Sequence, residues 1–131
     1  MKKLLILLCL VLCAGCVNKT KANEIYTAYL GASVPYGTKF YEAKSNKLLG
    51  DVSNLVFTMY RDAFDEIVKD YVKKDKESAL VGARDWLPSD IIKSKSLECY
   101  YRFEEKDNNK REYYLFWNDD NGRIYFLTYV Y

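Results

Sequence analysis

Apolar residues recur at spacings of three and four along residues 52–73: Val52, Leu55, Val56, Met59, Tyr60, Ala63, Phe64, Ile67, Val68, Tyr71 and Val72. Such spacing gathers them into one stripe and predicts an amphipathic helix. Asp51 or Ser53 is placed to cap its start, and Lys73, Lys74 and Lys76 suit the negative end of the helix dipole. Beyond residue 96 the period becomes two. Leu97, Cys99, Tyr101 and Phe103 alternate with Glu98, Tyr100, Arg102 and Glu104, which predicts a strand with one buried face. EYYLFW at 112–117 and RIYFLTYVY at 123–131 extend this into a three-stranded antiparallel meander. The turn between them, NDDNG, holds an Asn121-Gly122 pair suited to positive φ.

The last two of these strands are apolar on both faces. Tyr113, Leu115 and Trp117 oppose Tyr114 and Phe116, while Ile124, Phe126 and Val130 oppose Tyr125, Leu127, Tyr129 and Tyr131. One helix covers one face, so the other must meet a second layer, a partner or solvent. Tyrosine tolerates a half-wet position, and Tyr and Trp dominate binding interfaces. Tyr114, Phe116, Tyr125, Tyr129 and Tyr131 are therefore the candidate binding face. Elsewhere, residues 38–43 favour a strand, residues 77–94 predict two short helices joined through Trp86, Leu87 and Pro88, and Trp86 is read as a plug at the core's edge. The expected fold is α+β: one long amphipathic helix packed on a C-terminal antiparallel β-meander, with short N-terminal elements.

The chain opens MKKLLILLCLVLCAGC. Lys2 and Lys3 form a basic start, Leu4 to Leu12 an aliphatic run, and Ala14 and Gly15 a small-residue exit before Cys16. A run this short falls below the roughly 20 apolar residues needed to cross a bilayer and has the form of an export signal. LCAGC resembles the lipobox of bacterial lipoproteins, with Cys13 standing where leucine is usual. The resemblance implies a diacylglycerol on Cys16 and cleavage after Gly15. Val17 follows where an inner-membrane retention aspartate would stand, which by the same analogy implies the outer membrane, facing the periplasm. The expected organisation is a signal peptide at 1–15, a lipidated cysteine with a polar tether at 16–24, and a single domain at 25–131.

Taking the signal seriously changes the composition. Of 20 basic and 18 acidic residues, Lys2 and Lys3 leave with it, so the remaining charges balance. That argues against nucleic acid, whose binders carry a net basic patch. Of four cysteines, Cys9 and Cys13 also leave; with Cys16 acylated, Cys99 is alone and is expected as a small buried hydrophobe. The absence of histidine excludes a Ser-His-Asp triad and His-ligated zinc. Glu104-Glu105 and Asp119-Asp120 are the carboxylate pairs that would suit glycosidase chemistry, but both border turns, where acidic residues are common. EKDNNK lacks the acidic ladder of a calcium loop, and no glycine-rich phosphate cradle is present. No cofactor, metal or catalytic residue is therefore expected. The expected function is a membrane-anchored, non-catalytic binding or adaptor module of the bacterial envelope, recognising an envelope protein or cell-wall partner through its aromatic sheet face. The alternatives are a periplasmic inhibitor, a phage or plasmid exclusion or immunity lipoprotein, and a carboxylate-based hydrolase of envelope polymers.

Overall fold

A computed structural model of the chain describes residues 17–46 and 51–130. The chain runs α1 (Lys19–Tyr29), β1 (Lys39–Asn46), β2 (Val52–Thr58), α2 (Arg61–Val68), β3 (Val72–Lys74), α3 (Lys76–Ala83), a 3₁₀ turn (Arg84–Trp86), α4 (Ser89–Lys93), β4 (Leu97–Lys106), β5 (Asn109–Asn118) and β6 (Ile124–Val130). All six strands form one antiparallel sheet in the order β1-β2-β6-β5-β4-β3.

The long helix expected over residues 52–73 does not form. Its first third is β2, its middle is the two-turn α2, and its end is the edge strand β3. Val52, Leu55, Val56 and Phe57 are all buried, because β2 lies between β1 and β6 and helices cover both sides of the sheet. A strand covered on both faces is apolar at nearly every position, and helical spacing picks a subset of those positions by chance. Tyr60 ends the strand run with an extended ψ of 144°, and α2 starts behind it with Asp62 in its first turn. Asp51, expected as a helix cap, instead sits at φ 57° between β1 and β2. The result is a six-stranded sheet with several short helices.

Residues 19–24, expected as part of a polar tether, belong to α1 instead. Asn18 caps α1 by accepting a 3.1 Å hydrogen bond from the Lys21 N–H, so Lys19–Glu24 are helical. Ala22, Ile25 and Tyr26 are buried one turn apart, and Tyr29 continues their stripe; a boundary at residue 24 cuts through it. Tyr26 packs its ring edge against Phe57 and Phe40, while Tyr29 meets Tyr113 and Phe126.

The sheet has a core on each side. Leu55, Phe57, Tyr113, Leu115, Ile124 and Phe126 bury one face beneath α1 and α2. Val56, Cys99, Tyr114, Phe116, Tyr125 and Leu127 bury the other beneath α3 and α4. Strands β4, β5 and β6 pair in the expected meander order, joined by turns in which Asp107, Asn108 and Gly122 take positive φ. The signal segment, Gly15, Cys16 and Tyr131 lie outside the described residues. Among the described residues no helix is long and apolar enough to cross a membrane.

Candidate functional site

The described residues of the aromatic face expected from sequence lie in the core or at its edge. Phe116 is fully buried, Tyr114 and Tyr125 nearly so, and Tyr129 half-buried. The segment that covers them, residues 76–93, is the one whose sequence suggested only short connecting helices. Tyr114 stacks between Phe116 and Tyr129, and Tyr101 lies against it at 5.2 Å. The Tyr129 hydroxyl donates to the Gly82 carbonyl at 3.2 Å, and the Tyr101 hydroxyl to Glu112 at 2.7 Å. Burial, reinforced by Glu112, pushes the Tyr129 phenol far above its usual range. Gly82 stands in α3 directly over this cluster: a Cβ there would run into the Tyr114 hydroxyl. Tyr114 and Tyr125 are packed into the core, while Tyr101 and Tyr129 are hydrogen-bonded and half-buried.

The carboxylate pairs do not converge. Glu104 faces Arg111 across the β4–β5 pairing and accepts from the Tyr113 hydroxyl at 2.7 Å. Asp119 follows the far end of β5 and accepts from the Trp117 indole N–H at 2.8 Å, while Asp120 accepts from Ser94 at 3.3 Å. Carboxylates spread along a strand in this way cannot flank one glycosidic bond. Among the described residues no group of three or more Cys, Asp or Glu is placed to hold a metal.

A groove opens instead where the second helical layer stops short of β1. A bulge between Phe40 and Glu42 bends β1. Beyond it Glu42 pairs with Val56 and Lys44 with Asn54, so both charged side chains stand on the face that α3 and α4 leave uncovered at this edge. The far wall is Asp85, Trp86, Leu87 and Pro88. Leu87 packs onto the core, whereas Trp86, the expected plug, is 41% exposed. The deeper part of the groove is about 220 Å³, floored by Val56, Tyr125 and Leu127. It continues past Lys44, Asn54, Asp85 and Trp86 into a wider part of about 490 Å³, where Lys21 of α1 joins the rim.

The groove carries both signs of charge on an apolar floor. Lys44 donates to Glu42 at 2.6 Å, and that hydrogen bond holds its ammonium above the ordinary lysine range. Lys21 and Asp85 make no ion pair among the described residues. Burial raises the Tyr125 phenol, whose hydroxyl lies 3.5 Å from Asp90. A concave site with a few polar groups over an apolar floor is the usual form of a small-ligand or headgroup site. Its members come from α1, β1, β2, β6 and the segment through the 3₁₀ turn to Pro88, so no local motif marks it in the sequence. Trp86, a large aromatic beside a proline-ended connection, was its one visible signal.

Compared with known proteins, the chain matches no family model, and neither a curated protein nor a solved structure is found to be similar.

Proposed function

We propose that the chain is a bacterial envelope lipoprotein, acylated at Cys16 after cleavage behind Gly15, whose domain serves as a non-catalytic binding or adaptor module at the outer membrane's periplasmic surface. The observation that carries this reading is LCAGC followed within two residues by Asn18, the cap of α1. Two or more acyl chains anchor stably where a single chain does not. With so little chain between lipid and helix, the domain is held against the bilayer and not on a long leash. Balanced charge and the absence of histidine support recognition without catalysis. Because helices cover both faces of the sheet, recognition of an envelope partner falls to the groove and its rim.

The test is metabolic labelling with palmitate followed by fractionation. The wild-type chain should carry label and sediment with outer membranes. Cys16→Ala should lose the label and appear in the soluble fraction. Label persisting in Cys16→Ala would refute the anchor. Cross-linking of the membrane-bound form then reports the envelope partner.

A further inference from the structure

We propose that the groove lined by Lys21, Lys44, Asp85 and Trp86 seats the headgroup of a zwitterionic phospholipid in the membrane that holds the Cys16 anchor. This deepens the function above and rests on it. The first argument is position. Cys16 precedes the α1 cap by two residues, which the chain can stretch to only about 7 Å. The Lys21 N–H bonds to that cap at 3.1 Å, and the Lys21 side chain lines the groove. Lys21 thus links the groove's rim to the α1 cap, which stands two residues from Cys16 in the chain.

The second argument is chemistry. Lys21, Lys44 and Asp85 line the same groove, and Lys44 is ion-paired with Glu42. Two cations and two anions give no net attraction for an anionic surface, where each basic residue would add about 1 kcal/mol. They do match a headgroup that carries a phosphate and an ammonium together. Lys21 and Lys44 supply donors for the phosphate, and Asp85 and the Trp86 ring face the ammonium through charge and cation–π attraction. A half-exposed indole next to lysines is also the side-chain pair that settles at membrane interfaces.

The test uses the mature chain from Cys16, coupled through that thiol to a maleimide phospholipid. It is placed on vesicles of phosphatidylethanolamine and phosphatidylcholine that carry a headgroup nitroxide. Trp86 emission is taken as the difference between wild type and Trp86→Phe. The nitroxide should quench Trp86, and the vesicle should shield it from aqueous iodide. Replacing Lys21 and Lys44 together by Gln, which leaves only neutral donors for the phosphate, should lower the quenching on the order of twofold, with unchanged circular dichroism. Trp86 remaining unquenched and open to iodide on the vesicle would overturn the proposal. So would equal protection by soluble phosphoethanolamine without vesicles, which would make the groove a site for a free ligand. Shielding seen only in whole envelopes would point to a protein occupant and also overturn it. Because coupling is chemical, loss of palmitate labelling in cells would refute the anchor independently of these readings.

Discussion

The guanidinium of Arg61 grips the carboxylate of Glu98 with two hydrogen bonds, at 2.6 and 3.0 Å, tying the first turn of α2 to β4. The same guanidinium lies 4.8 Å over the Trp117 ring and also reaches Asp65. Bidentate geometry of this kind is among the stronger charged contacts. It holds the Glu98 carboxyl down at about 2, with further help from the Tyr100 hydroxyl.

A folded-state pKa below the unfolded value gives stability that is present at neutral pH and lost on acidification. For Glu98 the loss should run from about 4.5 down to about 2. Arg61 is 40% exposed, so solvent discounts the pair to about 1 kcal/mol. Urea midpoints measured across that acid range should fall more steeply in wild type than in Glu98→Gln. Parallel curves would show that the pair contributes nothing measurable.

Gly82→Ala separates helix propensity from packing. In an open helix the change would stabilise by about 1 kcal/mol. Here the new methyl meets the Tyr114 hydroxyl, and Tyr114 is stacked and nearly buried, so it has no free direction in which to move. Overpacking should dominate and destabilise by about 1–3 kcal/mol. Thermal melts of Gly82→Ala with and without Tyr114→Phe should show partial rescue in the double variant, because removing the hydroxyl reopens the space.

The Cys99 thiol is buried, and burial pushes it up to about 11. At pH 8 almost none is thiolate, and the little that exists is covered. In the Cys16→Ala mature chain, a thiol reagent should therefore label nothing in native buffer and one group per chain in denaturant. Rapid native labelling would mean that the layer of α3 and α4 opens readily.

How much could be read in the sequence depended on how each element is buried. β4 was legible because Glu98, Arg102 and Glu104 interrupt its apolar positions at every second residue. β2 was not, because Val52, Leu55, Val56 and Phe57 face cores on both sides and leave no polar face to set a period. α1 was obscured by its polar first turn, in which Ala22 alone is buried. The two-sided apolar character of β5 and β6 left a second layer, a partner or solvent open for the other face, and the structure supplies a second layer. On one side the cover is residues 76–93 of the same chain, which bury Tyr114, Phe116 and Tyr125 and leave Tyr129 half-buried. The groove could not be read locally, since Lys21, Lys44, Asp85 and Trp86 become neighbours only once the sheet has formed.

The sheet order has a consequence for when the domain can form. β6, the last strand, lies between β2 and β5, and it alone joins the N-terminal hairpin to the rest of the sheet. Pairing across so much chain is slow, since loop closure precedes any gain from contact. A chain emerging from its amino end can close neither core until residues 124–130 have followed. The topology thus leaves both cores open until β6 is available to bridge β2 and β5.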